Sequence, residues 1–174
     1  MKKNGFTLIE LILYIAIFSI IMIGLVQVSW TVIGAGSKSS VQEEVFSQAR
    51  YLSEKLKYEI RNANGINIGT SNFDTNLASS SALQLSLIQD APDNPTIINV
   101  SSGKAQIKKG SAAAVSLNSN DTVVQDLTFS NYSSGDSKTL NISFTFTIAA
   151  TSGSGRWEFS ESAVMRSDAE IRSN

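Results

Sequence analysis

With 174 residues the chain can form one domain with a real core and is too short for two comfortable ones. It contains no Cys and no His, which excludes disulfides, thiol nucleophiles, imidazole-dependent triads and Cys- or His-ligated zinc and blue copper. A formal net charge of −1 and a pI of about 5.4 supply no field for nucleic acid. Chemistry is left to carboxylates, Lys, Ser, Thr and Tyr, and no two carboxylates sit in a recognisable acid/base context, so the expectation is a protein that is not an enzyme.

The chain opens with a short basic stretch, Met1 to Gly5, and then Phe6-Thr7-Leu8-Ile9-Glu10. From Leu11 to Ser37 there is no charged residue, and Leu11–Val26 is nearly unbroken apolar sequence with only Ser19 and Gly24 as small interruptions. About 20 apolar residues span a bilayer core, so this segment suffices. Lys2 and Lys3 place the N-terminus in the cytoplasm and everything after Ser37 outside, with Trp30 where an interfacial aromatic belongs. The apolar run is too long for a secretory signal peptide, and Gly34-Ala35-Gly36 is the nearest candidate for such a cleavage site. A plain membrane anchor accounts for length and orientation, but not for a carboxylate at Glu10 set against the apolar run.

Gly5-Phe6-Thr7-Leu8-Ile9-Glu10 resembles the cleavage and methylation motif of type IV prepilins, with Gly before the cut and Glu at the fifth position after it. The resemblance implies a prepilin peptidase that cuts between Gly5 and Phe6 and N-methylates Phe6. The residues suit these roles on independent grounds. Gly5 lets an extended scissile peptide enter a crowded cleft. Glu10 in lipid costs about 2.5–3.5 kcal/mol on insertion scales. The new α-amine of Phe6, on the same or a neighbouring subunit, would offset it and fix axial register. A simpler reading makes Thr7-Leu8-Ile9-Glu10 a capping box at a helix start; both roles can coexist.

Beyond Ser37 apolar residues fall at Val41, Val45, Ala49, Leu52, Leu56, Ile60 and Ala63, one face of an amphipathic helix. Asn62-Ala63-Asn64-Gly65 supplies the stop, with Gly65 as a left-handed cap. Two glycines at Gly34 and Gly36 cost about 1 kcal/mol each relative to Ala, so a bend or break is expected there, or at Gly24.

From Ile66 the pattern is β. Strands are predicted over Ala82–Gln89, Ile97–Val100, Ala105–Lys108, Val123–Tyr132, Thr139–Ala149 and Arg156–Met165, with hairpins at Ser101-Ser102-Gly103 and Ser133–Ser137. Residues 67–81 and 90–95 read as irregular loops, the latter holding Pro92 and Pro95. Leu140, Ile142, Phe144, Phe146 and Ile148 should pack on Leu52, Leu56 and Ile60. The expected fold is α+β, with a long N-terminal helix laid on an antiparallel β-sheet. Its divisions are a leader (1–5), a transmembrane and filament-core half-helix (6–37), an amphipathic half-helix (38–64) and a β-rich head (65–174).

This order is similar to the pilin fold, and in pattern to the J-type minor pseudopilins and related minor pilins. Arg50–Leu56 up to Gly65, Val124–Phe129 and a terminal strand ending near Arg166 carry the likeness. It implies a minor pilin or pseudopilin of a type IV pilus or type II secretion pseudopilus. Its partners would be other pilin subunits, prepilin peptidase, an inner-membrane assembly platform and membrane lipid. The location would be the inner membrane and then a periplasmic or extracellular filament. The alternatives are a filament-tip adhesion or substrate-binding module using loops 67–81 and 90–95, and a simply anchored surface protein.

No cofactor is expected. Asn118–Asp121 and Asp90–Asn94 offer oxygen donors to calcium without matching an EF-hand loop; turn chemistry is the plainer reading of both, and calcium stays open. Lys104, Lys108 and Lys109 read as a solvated strand edge rather than a DNA contact. Loss of Lys2 and Lys3 would leave 12 basic against 15 acidic side chains, taking the charge from −1 to −3 and further from nucleic acid.

Overall fold

The computed structural model describes residues 7–133, 139–151 and 160–172. One helix, α1, runs unbroken over Leu8–Arg61, 54 residues or about 80 Å. The apolar face is the one the spacing marks. Val45, Ala49, Leu52, Leu56, Ile60 and Ala63 are buried, and Val41 packs against them half-buried. The break expected at Gly34–Gly36 does not form, and α1 also passes through Gly24.

The predicted cap is corrected. Asn62, not Gly65, ends the helix; its N–H donates to Tyr58 O at 3.1 Å, and that of Ala63 to Ile60 O at 3.2 Å. The N–H of Asn64 then donates to Ile88 O at 2.7 Å, which pulls the chain straight into a sheet. Gly65 is thus the first residue of β1 (Gly65–Ile66), where a left-handed cap has no place.

The strands form two antiparallel sheets instead of one. The first is a meander of β1, β2 (Gln84–Ile88), β3 (Thr96–Ser101), β4 (Lys104–Lys109) and β5 (Val115–Ser116). The second holds β6 (Thr122–Asn131), β7 (Thr139–Ala150) and β8 (Ser162–Arg172). Ser102 and Gly103, with φ of 51° and 73°, make the tight turn that joins β3 to β4 with Ser101 opposite Lys104. Val124 N–H donates to Gly103 O at 2.8 Å, docking this hairpin tip on β6.

Helix α1 lies on β7 and β8. Ile142, Phe144, Phe146 and Ile148 of β7 are buried in one core with Leu52, Leu56 and Ile60, as the alternation predicts. Phe144 sits 6.0 Å from Phe129 and 6.3 Å from Phe146 between ring centroids. The last strand lies later than its prediction, and residues 156–159 of that prediction fall outside the described residues. Arg166, Asp168 and Glu170 form the exposed face of β8, while Ala163, Ala169 and Ile171 are buried on the other.

Gly110 closes β4 against the loop that carries both prolines. Its φ is +50°, its N–H donates to Pro95 O at 3.0 Å, and an added Cβ would stand 2.2 Å from Pro92 O. Gly110→Ala is therefore expected to destabilise the head by about 2 kcal/mol or more, since the clash is with backbone and the dihedral disfavours a side chain. Urea unfolding of the full chain in detergent checks this; an unchanged midpoint would show that the loop gives way freely.

Candidate functional site

Among the described residues no apolar side chain in the N-terminal half of α1 is buried. From Leu8 to Ile33 its side chains are exposed, including Leu13, Phe18, Ile23, Val28 and Trp30, and this stretch is long and apolar enough to cross a membrane. Lys38 ties the helix to the head, its ammonium 3.1 Å from Glu161 Oε1. Some 30 residues, about 45 Å of helix, therefore project from the head. Four hydroxyls of this rod are satisfied by its own backbone. Ser19 Oγ donates to Ile15 O at 2.7 Å, Ser29 Oγ to Leu25 O at 2.9 Å, Thr31 Oγ1 to Gln27 O at 3.0 Å and Ser37 Oγ to Ile33 O at 3.1 Å. Hydroxyls bound in this way can enter an apolar medium without leaving a donor stranded.

Glu10 lies in the first turn of α1, and its side chain is exposed. Thr7 occupies the N-cap with extended backbone (φ −84°, ψ 150°), but its side chain makes no capping hydrogen bond. The capping-box reading therefore fails on the Thr7 side. No salt bridge to Glu10 forms among the described residues. Gly5 and Phe6, the expected cleavage and methylation positions, lie outside the described residues.

A second polar site locks the other end of the helix. Glu59 is 1% exposed although it carries a carboxylate. Its Oε2 lies 3.1 Å from Lys109 Nζ on β4, and its Oε1 lies 2.8 Å from Lys55 Nζ in an ion pair without hydrogen-bond geometry. Lys109 also reaches Asp93 Oδ2 at 3.1 Å. Gln89 Nε2 donates to Glu59 O at 3.3 Å and to Oε2 at 3.4 Å, and Thr96 Oγ1 donates to Gln89 Oε1 at 2.8 Å. Burial works to raise the Glu59 pKa, but the contacts from Lys55, Lys109 and Gln89 outweigh it and hold the carboxyl below its ordinary value. Burial likewise works to lower Lys109, and Asp93 and Glu59 overcome it, so its pKa is raised. The sequence reading missed this cluster. Its signal was a carboxylate seven residues after Leu52 and three after Leu56, inside the apolar stripe.

The three lysines do not form a solvated edge. β4 is paired on both sides, by β3 and β5. Lys104 donates to Ser119 O and, at 3.1 Å, to Thr122 O, while Lys109 is bound as above. Only Lys108 stands exposed. The two loops with oxygen donors are occupied by their own turns. Asn118 is buried, accepts from Ala105 N at 2.9 Å and donates to Thr122 O at 2.7 Å. Asp90 accepts from Asn64 Nδ2 at 2.8 Å. Among the described residues no three carboxylates converge on one point.

Residues 1–26 match the family model described as the prokaryotic N-terminal methylation motif. No curated protein and no solved structure matches the chain. The motif, the projecting apolar helix and the α+β head together indicate a type IV pilin-like protein, and they fit a membrane-anchored one.

Proposed function

We propose that this chain is a structural subunit, a minor pilin or pseudopilin akin to the J-type, of a type IV pilus or type II secretion pseudopilus. Prepilin peptidase cleaves it after Gly5 and methylates the amine of Phe6, and the subunit joins the filament through α1. The observation that carries this reading is the pairing of the methylation motif with about 45 Å of helix whose apolar side chains stand exposed among the described residues. Such a surface is tolerated only in lipid or against other apolar helices, and the two serve in turn before and after assembly. Glu10 then takes the Phe6 amine of a neighbouring subunit as its counter-charge. Prepilin peptidase, an inner-membrane assembly platform and other pilin subunits are the partners, and the head is carried outside the inner membrane.

Intact mass of the membrane-extracted protein tests the processing. The expected result is loss of Met1–Gly5 plus one methyl group on Phe6. Gly5→Leu should leave the precursor uncleaved, lowering the processed fraction roughly tenfold or more through side-chain bulk at the cut. An intact N-terminus in a host with active prepilin peptidase would defeat the proposal.

A further inference from the structure

A cavity of about 320 Å³ lies between the last turn of α1, the loop before β3 and the end of β4. It stands about 30 Å further along the helix axis than Lys38. Tyr58, Glu59, Asn62, Asp90, Asp93 and Lys109 are among its lining. The most buried of them is Glu59, whose Oε1 makes no hydrogen bond although a carboxylate oxygen can accept two. Asp90 Oδ1 accepts from Asn64 Nδ2 at 2.8 Å, and Asp93 Oδ2 takes the Lys109 ammonium at 3.1 Å. The second oxygen of each has no hydrogen bond or ion pair among the described residues. Against these three carboxylates stand Lys109 and, paired to Glu59 at 2.8 Å, Lys55, so one negative charge is left over. Arg61 and Lys108 do not line the cavity.

We propose that this cavity binds a monovalent organic cation, a guanidinium or primary ammonium, between Asp90 and Asp93 and against the Tyr58 ring. Such a site goes beyond the assembly reading and does not depend on it. Charge sets the sign of the ligand, since a cleft with low-dielectric walls strengthens the pull of an unbalanced carboxylate. The spacing of the acceptors sets its kind. Among the described residues no three carboxylates converge, so a bare metal ion lacks a shell, whereas a fork of N–H donors reaches acceptors set apart. Tyr58 is 57% exposed, and its ring already faces one cation, Lys55 Nζ, 5.1 Å from its centroid. The two aspartates are held ready for a ligand. Asp93 N–H donates to Asp90 O at 3.0 Å and Thr96 Oγ1 to Asp93 O at 2.9 Å, so the loop needs little ordering on binding. Lys109 is fixed between Glu59 Oε2 and Asp93 Oδ2, both at 3.1 Å, and keeps a second cation toward the exposed Asp90. The volume suits one such group with its alkyl chain.

Saturation-transfer NMR on the full chain in a non-ionic detergent tests this with n-butylguanidinium. Its binding is expected to saturate at low millimolar concentration, while the neutral isostere n-butylurea gives no saturable signal. Asp90→Asn should lower the affinity roughly three- to tenfold, and adding Asp93→Asn should bring the loss to roughly thirtyfold. Tyr58→Leu, at an exposed position, should lower it roughly threefold. Glu54→Gln, at an exposed carboxylate outside the cavity, should change nothing. A capped glycyl-arginyl-glycine peptide that competes with n-butylguanidinium assigns the side chain of a partner protein as the source of the cation, and one that does not assigns a free molecule. The Tm of each variant is read alongside, since Asp93→Asn also loosens Lys109, whereas Asp90→Asn leaves that ion pair whole. No saturable signal, equal binding of n-butylurea, or unchanged affinity in both Asp90→Asn and Tyr58→Leu would overturn the proposal.

Discussion

Replacing Glu10 with alanine is expected to leave cleavage after Gly5 nearly unchanged and to lower incorporation into filaments by about a hundredfold. The magnitude follows from the charge left behind. The Phe6 amine generated by cleavage would enter an apolar surrounding without its counter-charge. An unpaired ion there costs about 2.5–3.5 kcal/mol, or roughly two powers of ten in an assembly equilibrium. Glu10 has no salt-bridge partner among the described residues, and Thr7 does not engage it in a side-chain cap, so little helix stability is lost with the carboxylate. Glu10→Gln should behave like the alanine variant, because it keeps shape and polarity but not charge. The check is the ratio of sheared-filament to membrane-bound protein, with processing followed by mass. Normal incorporation of Glu10→Ala would refute the pairing with Phe6.

The second large effect concerns Glu59. Its removal leaves Lys55 and Lys109 facing each other at the helix end, and breaking a buried ion pair on one side costs about 3 kcal/mol. Glu59→Ala is thus expected to lower the Tm of the full chain in detergent on the order of 10 °C. The pH dependence has a definite sign. The folded pKa of Glu59 is held below 4.5, so its stabilising share is present above that value and lost as pH falls through the lowered folded one. Lys109 acts in the opposite direction. Its raised folded pKa gives a share fully present below 10.5 and lost as pH rises through the folded value. Glu59→Gln should therefore flatten the acid limb of the stability profile below about pH 4.5 while Lys55 and Lys109 remain in place. An unchanged acid limb and midpoint in that variant would show that the cluster contributes nothing.

How far the sequence reveals this molecule depends on the range of each determinant. Helix α1 was legible because six apolar residues from Val41 to Ile60 keep one face by local spacing alone. β7 was legible because its side chains alternate without a break from Leu140 to Ile148. The cap at Gly65 was misread because the end of α1 is set by a distant acceptor, Ile88 O, which takes the Asn64 N–H and leaves no room for a left-handed turn. The last strand runs past its predicted end at Met165 because Ala169 and Ile171 reach the core between the exposed Arg166, Asp168 and Glu170. The Glu59 cluster draws on α1, β4 and the loop before β3, and no local period joins those. The methylation motif needed no tertiary information, since it lies within residues 1–26, and the apolar run that could cross a membrane is read from composition alone.

The unbroken passage of α1 through Gly34 and Gly36 makes residue count a measure of angle. The helix turns 100° for every residue, so the stretch between Ile33 and Lys38 fixes where around the rod the head faces. The buried stripe shares one rigid axis with the apolar half and is phased to it by the same count. A single inserted or lost residue there would keep the fold, the motif and every contact inside the head, yet point the head about a quarter of the way round. Among relatives built this way, that stretch would vary in side chains far more freely than in length.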